Sequence, residues 1–150
     1  MSVISSASGS SCWKGLDYYN NKKIRDIKKI NDFEYSSVVV GTKDYNVYLN
    51  LKNPRKSTCN CPLANGKRII CKHIVATYFT VVPTSAIEYE KEQNRLQKEY
   101  EEYQENEYRN LIEFINKMSK KELIQELIHI FDYAPEWVYD DFVKRNDING

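Results

Sequence analysis

Cys59-Asn-Cys-Pro-Leu-Ala-Asn-Gly-Lys-Arg-Ile-Ile-Cys-Lys-His73 is the stretch on which the rest of the chain depends. Four metal-binding side chains fall there as two doublets, Cys59/Cys61 and Cys71/His73, each with i, i+2 spacing. In an extended strand such residues project from one face, so Cys59 and Cys61 can meet a common centre without distorting the backbone. Asn65-Gly66 lies between the doublets and is a strong turn signal, able to fold the second back onto the first. On a regular helix, i and i+2 lie about 200° apart and cannot share a metal. Cys71 is therefore expected before a helix or at its cap, with His73 in the first turn and the helix running on to about Val82, closed by Pro83. Three thiolates and one imidazole make a closed tetrahedral set suited to one structural Zn²⁺.

Other uses of these residues fit less well. Cysteines are common as small core residues, but that does not account for His73 two places after Cys71. A Cys59–Cys61 disulfide would close a strained ring, and a redox pair more often reads C-x-x-C.

With its flanks, the pattern C-x-C-x(n)-C-x-H resembles the SWIM zinc finger. Cys61-Pro62 and Cys71-Lys72-His73-Ile74-Val75-Ala76 are similar to that family's C-P and C-K-H runs. Upstream, Trp13-Lys14-Gly15-x-x-Tyr18-Tyr19 and Val40-Gly41-x-x-x-Tyr45-x-Val47 look like the lead-in of prokaryotic members. One departure is Lys14, where the family would carry arginine; no ligand is affected. The resemblance implies a binding module that contacts DNA or other proteins.

Composition sets the bounds. The chain has 150 residues, 41% hydrophobic, with 12 tyrosines and four cysteines. That suits one domain or two small ones. An odd thiol, Cys12, beside a zinc-type cluster fits a reducing cytoplasm better than a secreted disulfide framework. No apolar run approaches the ~18 residues of a membrane span, and no signal peptide is evident. The formal net charge of +1 hides an asymmetry. Residues 1–78 carry 13 Lys/Arg against 5 Asp/Glu, a net of +8, and residues 79–150 carry 9 against 16, a net of −7. The first part attracts polyanions and the second repels them.

The expected fold is α+β: a small antiparallel sheet with a zinc-bound ββα-like finger, then an all-α region. Residues 1–11 are Ser-rich and expected to be disordered. Residues 12–83 form the SWIM-like domain, and 84–150 the helical region. A short helical turn is expected at Leu16–Asn20. Ile24, Ile27 and Ile30, three apart, suit a helix, but the resemblance implies a strand near Lys23–Ile27. Phe33–Val40 and Tyr45–Leu51 read as strands around a turn at Gly41–Asp44. Alternation puts Tyr45, Val47, Leu49 and Leu51 on one face and Asn46, Tyr48 and Asn50 on the other. Asn53-Pro54-Arg55-Lys56 reads as a turn. Ala86–Lys117 reads as one long helix. Ser119-x-x-Glu122 is a capping box opening the next, with Leu123, Ile124, Leu127, Ile128 and Phe131 as its buried face. Pro135 opens a last helix through about Arg145.

No catalytic motif is present: no phosphate-cradling Gly-rich loop, no G-x-S-x-G and no H-E-x-x-H. The chain is thus expected to be a non-enzymatic zinc module with no small-molecule substrate and no membrane partner. It is expected to bind DNA or other nucleic acid with weak sequence preference. Arg55, Lys56, Lys67, Arg68 and Lys72 are the candidate contacts, and Tyr45 or Tyr48 a stacking face. The alternative is a protein-interaction adaptor using the acidic, Tyr-rich helical half, with the zinc purely structural.

Overall fold

The structure is a computed structural model that describes residues 2–148. Four antiparallel strands lie in the order β1 (Ile24–Asn31), β2 (Glu34–Val40), β3 (Asp44–Asn50) and β4 (Thr58–Cys59). Two helices precede them, α1 (Val3–Ser6) and α2 (Gly9–Asn20). Four follow: α3 (Lys72–Val81), α4 (Pro83–Lys117), α5 (Lys120–Tyr133) and α6 (Glu136–Arg145). The fold is α+β. The chain divides into two compact units, Met1–Asn94 and Arg95–Gly150. The boundary expected after residue 83 meets the start of α4. The units divide further along that helix, because Ala86 and Tyr89 still pack in the first core.

In the first unit, α3 contacts α2 and all four strands. Ile74, Val75, Ala76 and Phe79 are wholly buried there. Burial of a side chain the size of Phe79 contributes about 1.5–3 kcal/mol. The sheet offers Val39, Val47 and Leu49 to this core, all buried. Two hydroxyls lie inside, and they satisfy each other: Ser37 Oγ and Thr77 Oγ1 are 2.7 Å apart, with Thr77 also donating to the His73 carbonyl. The α2–α3 packing needs Gly15. A Cβ there would lie 2.5 Å from Val75 Cγ1 and 3.1 Å from the Lys72 carbonyl oxygen.

Strands β2 and β3 pair without interruption from Glu34↔Asn50 to Val40↔Asp44. The β1–β2 pairing has two register shifts, and Asp26 takes a positive φ of 55° beside the first. The isoleucines of β1 therefore line a bulged, mostly exposed strand rather than a helix. It extends to Asn31, beyond the Lys23–Ile27 expected.

The N-terminus differs from expectation. The Ser-rich segment expected to be disordered through residue 11 is ordered from Val3. Its serines act as caps: Ser2 and Ser5 form a capping box, and Ser8 accepts from the Ser11 amide at the start of α2. Val3 is buried, and Ala7 forms a parallel bridge with Ile70. Cys12 is a core residue whose thiol donates to the Ile4 carbonyl, and burial raises its pKa.

The second unit is helical. Ser119 accepts from the Glu122 amide while the Glu122 carboxylate accepts from the Ser119 amide, so the capping box forms as expected. Pro135 sits one place earlier than expected, at the cap of α6. Phe131 packs on Tyr139 and Phe142, with centroids 5.6 and 4.9 Å away. The stripe expected to be the buried face of α5 is open: Leu123, Ile124, Leu127 and Ile128 are 39–55% exposed. No helix among the described residues is long and apolar enough to cross a membrane.

Candidate metal centre

The two doublets reach the same point by different local structures. Cys59 ends β4, and Asn60 prolongs the pairing: its amide donates to the Asn46 carbonyl and its side chain accepts from the Asn46 amide. The backbone thus stays extended through Cys59 and Cys61. It then reverses, with the amides of Ala64 and Asn65 both donating to the Cys61 carbonyl. Gly66 takes φ +68°, a left-handed conformation that favours glycine. Cys71 is the N-cap of α3 in an extended conformation, so the helical phase begins only at Lys72. That lets Cys71 and His73 face one centre despite their spacing.

The three sulfurs and one imidazole nitrogen all lie within 4.8 Å of one another, and all four residues are buried. His73 Nδ1 stands 3.6 Å from Cys59 Sγ and 3.9 Å from Cys71 Sγ. Nδ1 thus faces the sulfurs, while Nε2 is buried with no partner among the described residues. The ring is held between tyrosines. Tyr45 stacks on it at 4.3 Å with 19° between planes, and Tyr18 meets it edge-on at 5.4 Å. Tyr45 is fixed in turn by a 2.8 Å hydrogen bond to Thr42.

Three buried thiols so close cannot all ionise without a cation. In the protein alone Cys71 is pulled well below the ordinary thiol range, chiefly because Cys59 donates to its sulfur, and Cys59 is pushed up because its proton is held in that bond. A divalent cation removes the conflict: soft sulfur donors and one imidazole in a compact set suit Zn²⁺.

A buried Cys₃His set reached from a strand end and a helix cap defines a zinc finger. Residues 45–81 match the family model of the SWIM zinc finger. This segment spans β3, all four cluster residues and α3, and the chain carries a SWIM zinc finger with a site for one zinc ion. No curated protein and no solved structure matches the chain.

The structure separates the candidate nucleic-acid residues into two groups. Arg55 and Lys56, in the 3-10 turn Pro54–Lys56, line one open groove of about 640 Å³ together with Lys67 and Arg68. Lys72 lies elsewhere, in a cavity beside the cluster, with its ammonium 4.4 Å above the Tyr18 ring. Of the two candidate stacking faces, Tyr45 is consumed by His73. Tyr48 is half-buried and lines the groove. The alternation of β3 already held this signal, since it put Tyr45 with Val47 and Leu49. The roles of Tyr18 and Thr42 at His73 left no mark in spacing or composition.

Proposed function

We propose that Cys59, Cys61, Cys71 and His73 hold one structural zinc, and that the finger so formed binds nucleic acid through the Arg55/Lys56–Lys67/Arg68 groove. One observation carries the proposal. Two sequence-distant loops bring four cations to one groove, and no Asp or Glu is found among the described residues lining it. A neighbouring groove at Phe33 and Lys52 is lined by Asp32 and Glu34 as well. The metal's part is indirect: it anchors Cys61 and Cys71 at the two ends of the loop that carries Lys67 and Arg68. With four protein donors the shell is closed, which suits a structural metal rather than a catalytic one. Thiolate ligands favour a reducing cytoplasm. None of the described residues lining the groove belongs to an α-helix, so sequence preference should be weak.

Fluorescence anisotropy with a labelled oligonucleotide over a salt series tests this. Four phosphate contacts give a slope of log K against log[salt] near −3, and removing any one of the four cations should reduce it by about 1. No binding at low salt would reject the proposal. The exposed apolar stripe of α5 favours a second activity, as a protein-interaction surface on the helical half. Retention of a protein partner by full-length chains lacking the four groove cations would support it.

A further inference from the structure

We infer that the groove takes a single strand, not a duplex, with one base stacked on Tyr48. This rests on the nucleic-acid binding proposed above. Tyr48 is half-buried and stands on the face of β3 opposite Val47 and Leu49, between exposed Asn46 and buried Asn50 on that face. Its directly paired neighbours across the sheet are Ser36 on β2 and Thr58 on β4, both small. Neither can cover a phenol ring, so a planar base has room to approach. The ring's hydroxyl end is tethered: buried Asn50 donates to the Tyr48 oxygen at 3.4 Å and to Glu34 at 2.9 Å. A ring held at its polar end and bordered by small side chains is a pre-ordered stacking platform. Stacking on such a ring tolerates any base.

The placement of charge fits the same ligand. Glu34 lies at the hydroxyl end of the ring, where it repels phosphate. The four cations line the groove that Tyr48 shares, which has no carboxylate among its described lining residues, although Lys56 also borders the neighbouring groove that Glu34 lines. A base on Tyr48 therefore directs its backbone toward Arg55, Lys56, Lys67 and Arg68. Ser36 also pairs with Lys28 of β1, so the same transverse row ends in an exposed cation. A duplex is ill served here. Its bases present only edges, and reading them needs a helix or a two-stranded ribbon in the major groove. Helix α3, the one attached to the metal loop, is buried along its length from His73 to Phe79 apart from Tyr78. An unstacked strand displays the base faces that Tyr48 can use.

The test uses the full zinc-loaded chain, fluorescein-labelled oligothymidylate, and a labelled hairpin duplex of the same charge, at about 50 mM salt. Oligothymidylate should bind tenfold or more tighter than the hairpin. Tyr48→Ala should weaken oligothymidylate binding about tenfold and leave hairpin binding unchanged, while Tyr48→Phe keeps wild-type affinity. If Tyr48→Ala loses zinc, Tyr48→Leu, which keeps the apolar bulk without the flat face, replaces it with the same expectation. Equal or tighter hairpin binding, or oligothymidylate affinity unmoved by loss of the ring, would overturn the single-strand inference while leaving the cation groove intact. Binding to neither probe would overturn both.

Discussion

Residues 2–94 and 95–148 are built on opposite economies of apolar surface. Among the described residues, every buried hydrophobic side chain lies in the first unit except Val143. The first unit gathers Val3, Leu16, Val39, Leu49, Ile74 and Phe79 around α3 and closes one edge with the Cys₃His cluster. The second keeps an aromatic cluster at Phe131, Tyr139 and Phe142, while its α5 stripe stays open. An amphipathic period therefore says that a helix has an apolar face, not that something covers it. A metal supplies what a small sheet cannot draw from burial alone.

The largest expected effect would break that contrast outright. Cys61→Ser should take zinc from one per chain to near none and unfold the first unit, since structural zinc contributes about 10–16 kcal/mol to such folds. Hydrogen exchange on the full chain should show protection lost across residues 13–82 and little changed in α5 and α6. Unchanged zinc by elemental analysis would contradict it. Acid should act in the same direction. Protons compete with zinc for the cluster thiolates and imidazole, so metal is retained at neutral pH and released as pH falls.

A smaller effect sharpens the packing side. Gly15→Ala places a methyl group against Val75 and the Lys72 carbonyl, and should cost about 1–3 kcal/mol by urea denaturation, with zinc still bound. A stability equal to wild type would mean that α2 and α3 can move apart freely.

The smallest effect belongs to the second unit. Ser119→Ala removes the acceptor for the Glu122 amide and should speed exchange in the first turn of α5 about fivefold, leaving the first unit unmoved. The hydrogen bonds from Ser119 also hold the Glu122 carboxyl below its ordinary value. The cap is thus fully present above the ordinary glutamate range and fades as pH drops through the folded value.

Much of the site was legible because its chemistry is local. The doublets Cys59/Cys61 and Cys71/His73 fix ligand type and count, Asn65-Gly66 marks the reversal, and the alternation of β3 sorts Tyr45 from Tyr48. Ser119 and Glu122 announce the start of α5. What stayed hidden depends on tertiary contact. Serines read as linker composition at residues 2–11, and only the burial of Val3 and the pairing of Ala7 with Ile70 turn them into helix caps. The isoleucines of β1 keep a helical spacing because a bulged edge strand imposes no strict alternation. Five basic residues near the metal looked alike in sequence. The fold brings four to one groove and sends Lys72 to Tyr18.

X-ray absorption at the zinc edge of the purified full-length chain tests most directly whether the two doublets close on one ion. Three sulfur neighbours near ~2.3 Å and one nitrogen near ~2.0 Å are expected, at one zinc per chain. A shell dominated by oxygen or nitrogen, or a chain without bound transition metal, would contradict the account.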